Sequence, residues 1–290
     1  MRTFSFVTVD VFTDRRFGGN PLAVFPDASG LTDGEMQSLA AEFNLSETTF
    51  VLPPADPSNT ARVRIFNRKS EMPFAGHPNV GTGWVLAKGG RAGRSRLRFE
   101  EIAGLVEVDV DESGVTIAAP QPLSLGPEMP ADLVASCIGA KADEIVTRYH
   151  KPVSASVGNS FVVAEVTGEA LTKAVPDIGR FREAAQAYTA MGANRLPLYL
   201  YAHDGARVRA RMFSPLSGTI EDPATGSAAT PLAALLLSLT SDDERRYEIV
   251  QGVEMGRPSK LLCTARRGAD GIRATVGGSC VPVLSGETSL

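Results

Sequence analysis

The feature that most constrains this chain is that its second half echoes its first. His77-Pro78-x-x-Gly81-Thr82 precedes one apolar stretch, and Asp222-Pro223-x-x-Gly226-Ser227 precedes another, half of the 290-residue chain later. Upstream, Arg64-Ile65-Phe66-Asn67 is echoed by Arg211-Met212-Phe213-Ser214, and Gly19-Asn20-Pro21 by Gly158-Asn159-Ser160. Three echoes in one order point to two similar α/β halves, each long enough to bury its own core. The Pro/Gly-rich stretch PQPLSLGPEMP near 120–130 reads as the linker, which divides the chain into residues 1–125 and 126–290.

Runs at 7–12, 21–25, 48–52, 61–66 and 106–110 alternate or cluster β-formers between Gly, Pro and Asp, and read as strands. One helix is well marked. Thr32 caps it, Glu35 completes a capping box, and Met36, Leu39, Ala40 and Phe43 form its apolar stripe. Past the linker the pattern restarts, with a helix near 131–138, strands over 153–166, a helix near 180–190, and strands at 196–202 and 207–213. In each half a polar residue and a proline then open a central helix, so Asp222 is expected as a strong N-cap and His77 as a weaker one. Gly89-Gly90 is expected to end the first of these helices. The second is apolar nearly all round (Ala228, Ala229, Leu232, Leu235, Leu236, Leu237) and is expected inside its half.

Composition narrows the partners. The net charge is −4 without a Lys/Arg block, which argues against nucleic acid. The start MRTFSFVTVDVF lacks the profile of a signal peptide, and the apolar run 228–239 is too short for a bilayer. Cys137, Cys263 and Cys280 lie far apart without metal-ligand or disulfide spacing and read as core residues. These readings describe a soluble, cytoplasmic protein without membrane or nucleic-acid partners and without a metal.

A helix start offers unpaired N–H groups and partial positive charge, so two matched starts facing one cleft would hold a small carboxylate. Gly76, Gly81 and Gly226 let backbone approach such a ligand. Gly76 to Gly81 has the spacing of a phosphate loop, but Thr82 stands where its lysine belongs and Gly83 where its Ser/Thr belongs. His150 and His203 sit in polar stretches and read as surface residues. His77, between Gly76 and Pro78, reads either as a capping or packing group or as an acid–base group. Glu47, in FNLSETTFV (43–51), reads either as an ordinary exposed glutamate or as a buried general base.

Several stretches together resemble the phenazine-biosynthesis PhzF-like family: VDVFTDRRFGGNPLAVF (9–25), FNLSETTFV (43–51), EMPFAGHPNVG (71–81), EDPATGSAA (221–229), QGVEMGRPS (251–259) and VGGSCVPV (276–283). They span the chain in the family's order. The resemblance implies a diaminopimelate epimerase-like α/β (α+β) fold of two pseudo-symmetric lobes, each a curved, mostly antiparallel sheet around a central helix, with the active site between them. The last strand is free to return to the first lobe. It also implies a cofactor-independent isomerase in which a glutamate moves a proton between carbons of a small amino-hydroxy carboxylic acid. That glutamate corresponds to Glu47; His77 and Asp222 correspond to the other catalytic positions, and Ser227 to the serine of the DPATGS motif. Gly76, Gly226, Thr225 and Asn20 complete the expected substrate-binding set, and a homodimer is implied. The alternatives are an epimerase or racemase of an amino or hydroxy acid, and a non-catalytic binder of a small carboxylate. The related epimerases use two cysteines, which neither helix-start motif contains.

Overall fold

A computed structural model of the chain describes residues 1–91, 96–112 and 114–290. It separates into two units, Met1–Ala118 with Gly277–Leu290, and Ala119–Val276.

In the first unit, strand Thr3–Val11 pairs antiparallel with Asn20–Phe25 and with Cys280–Ser289, so the last strand of the chain belongs to the unit of the first. Helix α1 (Asp33–Phe43) then connects Asn20–Phe25 to its parallel neighbour Thr48–Leu52. Its capping box is present: Thr32 Oγ1 accepts from Glu35 N, and Glu35 Oε2 accepts from Thr32 N. Met36, Leu39 and Ala40 turn inward onto Phe25, Phe50 and Phe66 on one face of the sheet. Strand Thr48–Leu52 is buried on both faces. Phe50 and Leu52 meet α1, while Thr49 reaches the opposite face and its hydroxyl lies 2.8 Å from that of Thr82.

That opposite face wraps helix α2 (Gly76–Leu86), in which Trp84 alone is not buried. Two glycines let the sheet close around it. A Cβ at Gly81 would meet Leu22 Cδ2 at 2.5 Å and Val11 Cγ2 at 2.8 Å, and one at Gly83 would meet Val108 Cγ1 at 2.7 Å. The helix passes at Leu86 into a π-helical turn, Ala87–Arg91, which contains the Gly89-Gly90 pair.

The second unit repeats the plan. Strand Val153–Ser156 pairs antiparallel with Ser160–Val166, which is parallel to Leu198–Asp204, itself antiparallel to Arg207–Ser214. Helices α3 (Ala131–Ile138), α4 (Gly168–Lys173) and α5 (Ile178–Ala187) take the place of α1 and form one core with Val162, Leu198, Leu200 and Phe213. Helix α6 (Gly226–Ser238) is buried nearly all round, as its sequence predicts. Ser124–Glu128, within the expected linker, is an exposed strand paired with Val153–Ser156. Proline and glycine are tolerated there because an edge strand leaves backbone groups unpaired.

The duplication is stronger than the sequence echoes indicate, but its register differs. Phe66 pairs with Glu71 and Phe213 with Glu221. Arg64 grips Glu71 through Nε and Nη2, both 2.6 Å, and Arg211 grips Glu221 in the same way at 2.8 and 2.9 Å. Each guanidinium also lies over the phenylalanine two residues on, at 5.1 and 4.8 Å from the ring centroids. Counting from these clasps, Glu71-Met72-Pro73-Phe74-Ala75-Gly76-His77 matches Glu221-Asp222-Pro223-Ala224-Thr225-Gly226-Ser227. His77 is therefore the counterpart of Ser227, and Met72 that of Asp222. The N-caps are Ala75 and Thr225, neither with a side-chain cap bond, which corrects the expectation of His77 and Asp222 as caps. Pro223 precedes its helix, whereas Pro78 lies inside the first turn of the other.

Candidate active site

In the first unit the path from sheet to α2 brings two expected residues together. Glu47 sits where the chain leaves α1 and enters strand Thr48–Leu52, and His77 is the second residue of α2. The His77 Nδ1 to Glu47 Oε2 distance is 3.6 Å, with the side chains 6% and 16% exposed. That is an ion-pair distance for a protonated imidazole and slightly beyond a hydrogen bond. Burial pushes the Glu47 carboxyl above its ordinary value; the Ser46 hydroxyl and the Arg68 charge oppose this more weakly. Asn20, also buried, accepts a hydrogen bond of 3.3 Å from Ser46 Oγ, which ties it to the residue beside Glu47. Gly76 is buried at the first position of α2.

The second unit gathers the other expected residues. Asp222 is buried at the end of strand Thr219–Asp222 and accepts a 2.5 Å hydrogen bond from Thr225 Oγ1. Ser227 is half-buried on the first turn of α6, next to Gly226.

The sequence reading did not single out Gln251, which fixes this turn. Its Nε2 donates to Asp222 O (2.7 Å) and to Thr225 Oγ1 (3.0 Å), and its Oε1 accepts from Thr225 N (3.2 Å) and Tyr199 OH (3.1 Å). Ser259 Oγ adds a bond to Pro223 O at 2.8 Å. Gln251 and Ser259 open and close the QGVEMGRPS stretch, and both are buried, which no local pattern of the sequence signals.

Three other groups complete the survey. His150, read from sequence as a surface residue, is half-buried with Nε2 2.7 Å from the Tyr201 hydroxyl, which in turn donates to buried Glu165. His203 is exposed. Cys137, Cys263 and Cys280 are all buried, and burial raises each thiol, that of Cys137 to about 12. Among the described residues no cluster of three or more His, Cys, Asp or Glu side chains is arranged to hold a metal. No helix among them is long and apolar enough to cross a membrane.

A buried carboxyl beside an imidazole at a helix start can accept and return a proton. Comparison with known proteins gives this chemistry a family. The profile described as Phenazine biosynthesis-like protein matches residues 9–286. The chain is 36% identical to the trans-2,3-dihydro-3-hydroxyanthranilate isomerase of Pseudomonas chlororaphis over 284 residues, covering 95% of this chain and 96% of that one. A PhzF-family phenazine biosynthesis protein of Bacillus anthracis superimposes with a TM-score of 0.89 at 25% identity, over the whole of both chains. A hydroxyproline epimerase of Agrobacterium vitis shares the fold alone, with a TM-score of 0.61 at 13% identity, covering 100% of this chain and 93% of that one. A two-unit, epimerase-like α+β fold and this match from end to end make the chain a member of the phenazine biosynthesis-like family, an isomerase of the PhzF type.

Proposed function

We propose that this isomerase moves a proton between two carbons of a small amino- or hydroxy-carboxylic acid without a cofactor, with Glu47 as the acid–base group. The observation that carries the reading is the buried Glu47 carboxyl 3.6 Å from the His77 ring. Burial strengthens the carboxylate as a base, and a carbon acid needs a strong one. The carboxylate takes the proton as a C–H bond breaks, and the electron pair spreads into the ligand's conjugated system. The same proton returns to a different carbon, the double bonds shift, and Glu47 is regenerated.

The remaining residues take roles that suit their chemistry. His77, as an imidazolium or a hydrogen-bond donor, steadies the Glu47 charge and orients the ligand's polar substituent. Asp222, held by Thr225, receives an amino or hydroxyl group. In the second unit Ser227 and the backbone N–H of Gly226 suit a carboxylate and the charge that delocalises onto it; in the first, the N–H of Gly76 is a donor of the same kind. Asn20 braces the Glu47 segment through Ser46. The first compound to try is trans-2,3-dihydro-3-hydroxyanthranilate, named as the substrate of the Pseudomonas relative.

The test is Glu47→Gln, which keeps the shape and removes the base. Turnover should fall on the order of 10³-fold, while calorimetry shows ligand affinity kept within a few-fold. Undiminished turnover would rule out Glu47 as the base. Binding without turnover by the unmutated protein, across a panel of amino and hydroxy acids, would favour the non-catalytic binder.

A further inference from the structure

The duplication places different chemistry at one matched position. Arg62 pairs with Glu100 in parallel register, and Arg209 with Val250. Because Arg64 matches Arg211, Glu101 at the end of strand Arg96–Glu101 is the counterpart of Gln251 at the end of Glu244–Gln251. Gln251 does two things at once: its oxygen accepts from the N-cap backbone of α6 and its nitrogen donates to the turn before it. A carboxylate has no proton to donate and cannot do the second. A neutral carboxylic acid can, since it offers one acceptor oxygen and one O–H in nearly the same shape.

The surroundings of Glu101 call for that neutral form. Both of its carboxyl oxygens are closed off from solvent, and neither receives a hydrogen bond. Asn79, two residues beyond His77, is fully buried; its Nδ2 donates to the carbonyl of Ala75, the N-cap of α2, at 3.1 Å, and its Oδ1 lacks a donor. Besides burial, the Asn79 amide is the group that acts on Glu101; it favours the ionised carboxyl, but more weakly than burial disfavours it. The hairpin following Glu101 is tied to the same segment, because Ala103 N donates to Pro73 O at 3.1 Å.

The nearby charges are engaged elsewhere. Arg64 holds Asp33 and Glu71, and Glu100 accepts from Ala55 N, Asp56 N and Asn59 Nδ2. Arg62 lines one groove with Arg64, Glu71, Glu100 and Glu101. Burial pushes that carboxyl up to about 8.

We infer that Glu101 works as a neutral acid in the place of a glutamine, giving its proton to the Asn79 amide oxygen and positioning the start of α2 with Gly76 and His77. This positioning role rests on the reading that His77 and Glu47 serve the reaction. The carboxyl keeps its proton in the folded chain at pH values where the unfolded chain, near the ordinary glutamate value of 4.5, has lost it. Its contribution is therefore complete below that value and is lost as pH rises to about 8. Ionisation there leaves a buried carboxylate that the Asn79 amide only partly compensates, and loosens the helix start.

Hydrogen–deuterium exchange of residues 75–80 tests this between pH 6.5 and 9.5 in the unmutated protein, Glu101→Gln and Glu101→Ala, corrected for intrinsic exchange. Unmutated protection should fall by up to about tenfold per pH unit from 6.5 to about 8 and level off above that. Glu101→Gln should hold its protection across the range, rescuing what Glu101→Ala loses at every pH. The inference is overturned if Glu101→Gln loses protection as Glu101→Ala does, or keeps the unmutated pH dependence. It is also overturned if carbon-13 NMR finds the Glu101 carboxyl titrating near 4.5. With trans-2,3-dihydro-3-hydroxyanthranilate, the alkaline fall in kcat should vanish in Glu101→Gln. A protein inert toward every acid tried would sink the proposed reaction and leave the exchange result standing.

Discussion

The two central helices begin in opposite ways. At the start of α6, Asp222, Thr225, Gln251 and Tyr199 are linked by five bonds between 2.5 and 3.2 Å. At the start of α2, two carboxyls, Glu47 and Glu101, are raised by burial, and Glu47 meets its imidazole neighbour at 3.6 Å. One start ties its polar groups together by hydrogen bonds; the other holds two carboxyls whose proton affinity burial raises.

That contrast can be attacked from either side. The largest effect is expected from Gln251→Ala, which frees the turn that orients Asp222. Misplacement by about 1 Å costs on the order of 10²-fold in kcat/KM, with kcat falling more than KM rises if the turn acts late in the reaction. An unchanged kcat/KM would mean that Asp222 needs no support. Next come the matched clasps. Glu221→Ala leaves buried Arg211 with only the distant Glu254 carboxylate, at 4.0 Å, in place of its two-point clasp and should cost about 3 kcal/mol. Glu71→Ala should cost about 1 kcal/mol, because Arg64 is 17% exposed against 7% for Arg211 and keeps Asp33. Equal losses in urea unfolding would remove this difference between the units.

Gly81→Ala tests how closely the sheet wraps α2. The new methyl would lie 2.5 Å from Leu22 Cδ2, so a loss of about 1–3 kcal/mol is expected. A neutral result would show that the wall yields. The smallest effect is expected from Thr225→Val, which removes one hydroxyl from the Asp222 network for about 1 kcal/mol. Its signature should be a raised KM for the acid beside a melting temperature lowered by a few degrees.

Much of the fold could be read from local patterns. The Thr32–Glu35 box marked the start of α1, and the apolar run 228–239 marked a buried helix, because caps and helical stripes are written within a few residues. The register of the duplication was misread where connections differ in length. Residues 67–70 join Phe66 to Glu71, whereas 214–220 join Phe213 to Glu221 and include the 3₁₀ turn Pro215–Ser217. Matching proline to proline then paired His77 with Asp222, where the ion-pair clasps pair it with Ser227. Gln251 and Glu101 were illegible for a different reason. The partners of Gln251 lie 26 or more residues away, and Asn79 stands 22 residues before Glu101, so only the folded chain shows that a strand's last polar residue supports a helix start.

The central claim is that Glu47 carries a proton from one carbon of an amino- or hydroxy-carboxylic acid to another. The most direct measurement is proton NMR of trans-2,3-dihydro-3-hydroxyanthranilate turned over in deuterium oxide by the unmutated protein and by Glu47→Gln. The account predicts a shifted double-bond pattern, with hydrogen lost at one ring carbon and hydrogen or deuterium gained at another, and neither change in Glu47→Gln. Exchange and inversion at a single carbon, or the same migration in Glu47→Gln, would contradict it.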